Sequence, residues 1–173
     1  LYFVNKNIMF VENFNKIPYI LYKTGPYDIP NEELNKLFEL NKKKLNVNKV
    51  FYYNDDECYD LINTMNLKTK KAYNSLIPTA YKADLWRYCV LYKYGGIYGD
   101  MTQKFLVNYN VNEKNADMVL VRDIKNDAIQ ISFIATKPSN NFIKYLIDNI
   151  TNDILQKKKG RHCLDLTGPM AFC

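Results

Sequence analysis

Residues 80–102 read AYKADLWRYCVLYKYGGIYGDMT, and they carry most of the information about the fold. The segment before Gly95-Gly96 contains no Gly or Pro, and the Gly pair is typical of a helix end. We therefore expect a helix over 80–94, followed by a short strand at Ile97-Tyr98 that ends at Asp100. Because the helix is apolar almost all the way round, we expect it to be buried.

The predicted helix carries its charges on two opposite sides. At about 100° per residue, Lys82 and Lys93 fall on one side, while Asp84 and Arg87 fall on the other. Since Lys is the most reliable marker of solvent, we expect Asp84 and Arg87 to point inward. An inward charge is costly unless it is paired or has a task. Two interpretations stay open: an ion pair within the helix, or a pair facing a cleft to which the strand also delivers Asp100.

The order of these residues is similar to that of a known family. The run from Ala83 to Tyr88 (ADLWRY), the run from Leu91 to Tyr98 (LYKYGGIY) and Asp100 resemble the core of glycosyltransferases with a DXD sugar-binding motif. That group includes yeast initiating mannosyltransferases, α-1,4-galactosyltransferases and capsular-polysaccharide transferases, and the clostridial glucosylating toxins share the Asp-x-x-Arg and DXD layout. The resemblance implies an α/β domain of GT-A fold, with a Rossmann-like, mostly parallel central sheet flanked by helices.

The resemblance also implies a role for each matching residue. Asp84 would hydrogen-bond sugar hydroxyls, Arg87 would bridge sugar and phosphate, and Asp100 would contact ribose, sugar and a divalent metal, Mn²⁺ or Mg²⁺. The donor would be a UDP- or GDP-sugar. Its hexose would pass to a glycan or polysaccharide acceptor with retention of anomeric configuration, as in polysaccharide biosynthesis.

One position departs from the family pattern. The motif is Asp-x-Asp, whereas this chain has Asp100-Met101-Thr102. In the family the second Asp is the principal protein ligand of the metal, and a hydroxyl is a much weaker ligand for a hard cation. Three alternatives stay open: a metal held mainly by Asp100 and the donor diphosphate, with Thr102 as a weak ligand; a site that works without metal; or a degenerate domain that binds a nucleotide-sugar without turnover.

A second informative stretch, IPYILYKTG, covers residues 17–25 and predicts a buried strand of a parallel sheet that ends in a turn. Ligands of open α/β sheets bind beyond the carboxyl ends of the strands. Tyr22, Lys23 and Thr24 are thus placed where a nucleotide would lie, and the segment resembles the family's opening strand, whose end contacts the nucleotide. For Thr24, ordinary turn chemistry is an equal alternative.

The remaining chain predicts alternating strands and helices, as in βαβ units. Helices are expected over 31–45, from the cap at 54–57 through 62, over 68–76 and over 142–155; strands are expected over 49–53, 116–121 and 129–136. The acidic run at 54–57 offers carboxylates for a metal, but a helix cap explains it better. Thr79 is a candidate cap of the central helix, and Phe105-Leu106-Val107 a candidate further strand. Thr167-Gly168-Pro169 resembles a family element that returns toward the active site, although a plain helix start explains it equally well.

Composition limits the class of protein. With 173 residues and 47% hydrophobic side chains, the chain fits one globular domain. The net charge of +6 comes from Lys spread along the chain, which solubility explains as well as an anionic ligand does. No basic stripe accompanies a recognised module, so we expect no nucleic-acid partner. No apolar run approaches the length of a membrane span, and one histidine, His162, argues against His-rich zinc sites.

The ends of the chain and its cysteines complete the expectations. The four cysteines show no C-x-x-C spacing and are expected to be reduced, buried thiols. Because the last residues read as the start of a helix, we expect residues 1–173 to be a single catalytic domain, truncated at its C-terminus. Its localisation stays open: cytoplasmic or membrane-associated in a bacterium or virus, the Golgi lumen in a eukaryote.

Overall fold

The computed structural model describes residues 15–28, 30–123, 128–158 and 167–168, and strands and helices alternate along them. In chain order the elements are β1 Ile20–Thr24, α1 Glu32–Leu45, β2 Lys49–Tyr53, α2 Asp55–Asn63, α3 Leu67–Ser75, α4 Thr79–Tyr94, β3 Gly96–Gly99, β4 Met118–Asp123, β5 Ala128–Thr136 and α5 Asn141–Leu155. None of the helices in these ranges has the length and apolarity needed to cross a bilayer.

The strands form one sheet in the order β2-β1-β3-β5-β4. β1 lies at the parallel centre, paired in parallel with both β2 and β3, while β5 runs antiparallel to β3 and β4. This arrangement brings the carboxyl ends of β1, β2 and β3 to the same edge, where ligands of α/β folds bind. The predicted α/β class with a parallel centre and flanking helices is confirmed.

The predicted capping signals explain where several helices begin and end. Asn31 caps α1, and Asn54 and Glu57 form a capping box at the start of α2, which confirms the cap interpretation of the acidic run. Asn140 caps α5. Gly95 and Gly96 have φ angles of 63° and 104°, a left-handed conformation that favours glycine, and they turn the chain from α4 into β3.

Two local predictions are wrong. Thr79 does not cap α4: the N-cap is Pro78, which makes no side-chain cap bond, and Thr79 is already the first helical residue. Phe105-Leu106-Val107 is not a strand: the five-stranded sheet does not include it, and Phe105 N donates to the Asn41 side chain at 3.0 Å. Instead the Phe105 ring packs against Phe133, with ring centroids 5.6 Å apart.

The sheet separates two apolar clusters. One, on the side that we call the α4 face, joins Tyr22 and Tyr98 to Trp86 of α4 and to Ile143 of α5. The other, on the α1 face, contains Leu21, Leu45, Ile97 and Phe133. Side chains alternate along β1, so Tyr22 lies on the α4 face whereas Leu21 and Lys23 lie on the α1 face.

The cysteines agree with the expectation as far as the structure describes them. Cys58 and Cys89 are buried and are not joined in a disulfide. Cys163, Cys173 and His162 lie outside the described residues.

Candidate functional site

Helix α4 carries two buried charges on an otherwise apolar surface. Asp84 and Arg87 are 8% and 6% exposed, and Arg87 Nη2 lies 2.6 Å from Asp84 Oδ1. On the opposite side of the helix, Lys82 and Lys93 are only partly buried. The predicted inward direction of Asp84 and Arg87 is confirmed, and so is the ion pair within the helix.

Asp100 meets this pair at the end of β3. Its Oδ1 lies 3.4 Å from Arg87 Nη1 and accepts a hydrogen bond of 2.8 Å from the Tyr98 hydroxyl. Tyr98 and Asp100 are two residues apart, so the strand places both side chains on the α4 face. The Asp100 side chain is 44% exposed, against 7% for Arg87 and 12% for Asp84. The cluster therefore opens to solvent at Asp100.

The Arg87 guanidinium is held in one orientation. Besides the two carboxylates, Nη1 donates to the carbonyl of Ile131 in β5 at 2.7 Å, and the guanidinium carbon lies 4.5 Å from the centroid of the Tyr98 ring. Burial lowers the pKa of Arg87, but Tyr98 and the two carboxylates outweigh burial and leave this pKa raised. The site therefore keeps a fixed positive charge beside the open carboxylate.

Thr167 completes the surroundings of Asp84. It is fully buried; its hydroxyl donates to Asp84 Oδ2 at 2.9 Å, and its carbonyl accepts from the Tyr88 hydroxyl at 3.2 Å. Both oxygens of Asp84 are thus engaged. Burial raises the pKa of Asp84, and the lowering effects of Arg87 and Thr167 do not fully offset it. An Asp so enclosed is suited to orienting Arg87.

Sequence reasoning assigned no role to Tyr88, Tyr98 or the Thr167 hydroxyl. Signals in the sequence existed for two of the three: Thr167 lies in the segment that resembles a returning family element, and Tyr98 shares a strand face with Asp100. In a chain with fifteen Tyr, however, nothing in the pattern distinguishes Tyr88 from an ordinary core residue.

Tyr22 and Thr24 are not brought into this cluster. Tyr22 is fully buried and its ring stacks on Phe51 with a centroid distance of 6.2 Å. The Thr24 hydroxyl donates to the Tyr53 carbonyl at 2.9 Å and so ties β1 to β2. This bond joins neighbouring strands and is not a turn contact, and contact of either residue with a nucleotide stays a prediction.

The described residues do not fit a resident divalent cation. Asp100 is the cluster's open carboxylate, and one of its oxygens is already occupied by Tyr98 and faces Arg87. Thr102 is exposed and contributes only a hydroxyl. Nowhere in the described ranges do three or more His, Cys, Asp or Glu side chains gather as they do around a metal. Hard cations favour several oxygen ligands, carboxylates above all, and the cluster does not offer such a set.

Comparison with known proteins identifies the class of this chain. Residues 29–119, slightly more than half of the chain, match the family model described as the glycosyltransferase sugar-binding region containing the DXD motif. The protein therefore belongs to this glycosyltransferase family, and the match supports sugar transfer as its function. The matched region contains Asp84, Arg87, Asp100 and Thr102, whereas Thr24 and Thr167 lie outside it. No curated protein matches the chain.

A solved structure supports the fold assignment. The chain is similar to the PaToxG glycosyltransferase, with a TM-score of 0.68 and 16% sequence identity over 90% of this chain and 67% of that one. At this identity the likeness concerns the fold alone. It confirms the predicted glycosyltransferase fold.

Proposed function

We propose that this protein is a hexosyltransferase that transfers a sugar from a nucleoside-diphosphate donor to a glycan or polysaccharide acceptor with retention of anomeric configuration. The observation that supports the proposal is the meeting of Asp84, Arg87 and Asp100 at the carboxyl end of β3, with distances of 2.6 and 3.4 Å from the guanidinium to the two carboxylates. Family membership supplies the reaction class, and this cluster supplies its chemistry.

Arg87 has the charge that the reaction needs. Breaking the bond between the anomeric carbon and the diphosphate oxygen leaves negative charge on the phosphate and oxocarbenium character on the sugar. A guanidinium pre-oriented by Asp84 and the Ile131 carbonyl stabilises the phosphate charge with little reorganisation. In this proposal Arg87 binds the leaving phosphate, and Asp84 acts mainly by orienting Arg87.

Asp100 is the carboxylate free to meet the donor. Its exposed oxygen can accept hydrogen bonds from sugar or ribose hydroxyls, while Oδ1 stays fixed by Tyr98 and Arg87. Its negative charge also stabilises the positive sugar centre that develops as the bond breaks. Retention needs no dedicated base to activate the acceptor, and the described part of the cluster offers no histidine for that purpose.

A second candidate function is binding of a nucleotide-sugar without turnover. Thr102 favours it, because the family's second acidic residue is replaced here by a neutral hydroxyl. A domain that retains Asp84, Arg87 and Asp100 but lacks full charge stabilisation would hold the donor and release it unchanged.

The two candidates are separated by incubating the protein with a panel of UDP- and GDP-sugars, with and without Mn²⁺, and following hydrolysis and transfer. We expect release of UDP or GDP with at least one donor. Binding of a nucleotide-sugar without product under every condition would contradict the transferase proposal and favour the binding module. Absence of both binding and product would contradict both.

A further inference from the structure

On the α1 face, directly behind the candidate site, lies a buried ammonium group. Lys23 of β1 is fully buried, and its Nζ donates to the Asp100 carbonyl at 2.7 Å and to the Gly99 carbonyl at 3.5 Å. Within the described part of the chain its hydrogen-bond partners are carbonyl oxygens and not carboxylates. The Phe38 ring lies 5.3 Å from Nζ. A buried charge without an ion-pair partner is costly, so its retention calls for a task.

Asn41 is a second buried polar side chain, and it bonds to the backbone at the end of the turn that residues 100–103 form. Asn41, on the buried side of α1, is fully buried; its Nδ2 donates to the Gln103 carbonyl at 2.7 Å and its Oδ1 accepts from Phe105 N at 3.0 Å. Gln103 N in turn donates to the Asp100 carbonyl at 3.0 Å. Lys23 and Asn41 thus hold both ends of the turn 100–103.

Met101, in the middle of this turn, lies close to Gly25, which follows β1. A Cβ atom on Gly25 would collide with the Met101 thioether and with the Tyr52 hydroxyl. The glycine therefore makes room for the Met101 side chain beside the end of β1. With Lys23 and Asn41 holding backbone carbonyls and Met101 seated against β1, the direction of the Asp100 side chain is set from the α1 face.

We propose that Lys23 and Asn41 are positioning residues for sugar transfer, which hold the turn 100–103 so that the Asp100 carboxylate faces both Arg87 and the donor. Neither needs to touch the donor, because both act through the backbone of Asp100 and Gln103. This inference rests on the proposed function, since it assigns these residues to the donor-binding geometry of the same site.

The proposal is tested by calorimetric titration of the whole chain with UDP and with GDP, comparing wild type with Lys23→Met, which keeps the length of the side chain and removes the ammonium. A charge-assisted hydrogen bond is lost, so we expect the Kd to rise by about tenfold. The Asp100 carbonyl keeps its bond from Gln103 N, so we expect the melting temperature to stay within a few degrees of that of wild type.

A double-mutant cycle distinguishes positioning from direct contact. If Lys23 acts through Asp100, then Lys23→Met with Asp100→Asn binds UDP or GDP no more than about threefold more weakly than Asp100→Asn alone. If the increases in Kd that the two single substitutions cause multiply in the double variant, the positioning role is overturned. Thr151→Val is the matched control, because Thr151 of α5 is an equally buried polar residue outside the site, and its Kd should equal that of wild type.

The remaining outcomes are also decisive. If wild type binds neither UDP nor GDP, the proposed function falls and this inference with it. If wild type binds and Lys23→Met binds equally well, only the inference falls. Should Lys23→Met fail to fold, Asn41→Leu replaces it; we expect its Kd to rise by about threefold or more, and an unchanged Kd would overturn the proposal.

Discussion

The two faces of the sheet use polar groups in opposite ways at the end of β3. On the α4 face, the charged groups of Asp84, Arg87 and Asp100 contact one another, and one carboxylate remains open to solvent. On the α1 face, Lys23 and Asn41 bond to the backbone around Asp100 and are closed off from solvent. In our proposal the first face presents side chains to the donor, whereas the second holds the main chain that carries one of them.

The comparison teaches that burial alone does not mark a site. Arg87, Lys23 and Asn41 are buried to a similar degree, yet only Arg87 is linked through charged groups to an exposed carboxylate. Substitutions of the buried residues Asp84 and Arg87 on the α4 face should therefore affect chemistry and stability together, and substitutions on the α1 face should affect mainly the geometry of Asp100.

The largest effect is expected from Arg87→Met. We expect sugar transfer to fall by on the order of 100-fold or more, because the phosphate charge loses its fixed counter-ion. We also expect the free energy of unfolding to fall by about 3 kcal/mol, because Asp84 is left buried without its ion-pair partner. Transfer assays and urea denaturation measure the two effects.

The control is the double variant Asp84→Leu with Arg87→Met, which removes both charges. It should lose less stability than Arg87→Met alone, since no buried charge is left unpaired. Equal or greater destabilisation of the double variant would show that the ion pair is not what makes Arg87 structurally important.

The next largest effect is expected from Thr167→Val, which removes the hydroxyl that donates to Asp84 Oδ2. We expect a loss of about 1 kcal/mol in the free energy of unfolding and roughly a tenfold loss of transfer, because Asp84 then orients Arg87 less firmly. Thr151→Val, the same substitution at another buried threonine, removes a hydroxyl that has no hydrogen-bond partner among the described residues, so it should leave transfer unchanged and should not lower the free energy of unfolding. A result in which both variants behave alike would remove Thr167 from the site.

Much of this site follows from the sequence, for a physical reason. In α4, three-residue spacing places Asp84 and Arg87 on one face whatever the rest of the chain does, and the Gly pair dictates where the helix stops. The opening strand and the caps at Asn31 and Asn54 depend likewise on local chemistry. These predictions needed no knowledge of tertiary packing.

The parts that could not be predicted depend on contacts between distant segments. The bond from Thr167 to Asp84 joins residues 83 positions apart, and that from Lys23 to Asp100 joins residues 77 apart. The space beside Gly99 is occupied by the Phe105 ring, a contact that no local pattern predicts. Phe105-Leu106-Val107 has the composition of a strand, but the Phe105 amide is bound by the side chain of Asn41, 64 residues earlier in the chain.

A smaller effect should appear in the pH dependence of stability. Burial lowers the pKa of Lys23 to about 8, although the charge of Asp100 opposes the shift. Between this value and the unfolded value of 10.5, the unfolded chain binds more protons, so Lys23 makes stability rise with pH across that window. The free energy of unfolding of wild type minus that of Lys23→Met should therefore increase from pH 8 to 10.5. A difference that stays constant over this pH range would contradict the conclusion that the Lys23 ammonium is buried among carbonyl oxygens of the described residues.

The smallest expected effect is on metal dependence. Because the cluster does not fit a resident cation, we expect EDTA to change the Kd of wild type for UDP or GDP by no more than about threefold. Thr102→Asp restores a second carboxylate and should make binding about tenfold tighter in Mn²⁺ than in EDTA. Loss of wild-type binding in EDTA would show that Thr102 and Asp100 already hold a metal.

The most direct test of the account compares wild type with Asp100→Asn, using whichever donor of the UDP- and GDP-sugar panel wild type turns over. The account predicts that the rate of UDP or GDP release falls by about 100-fold, while the melting temperature stays within a few degrees because the side chain is 44% exposed. An unchanged rate in a folded Asp100→Asn variant would contradict the claim that sugar transfer takes place at the end of β3.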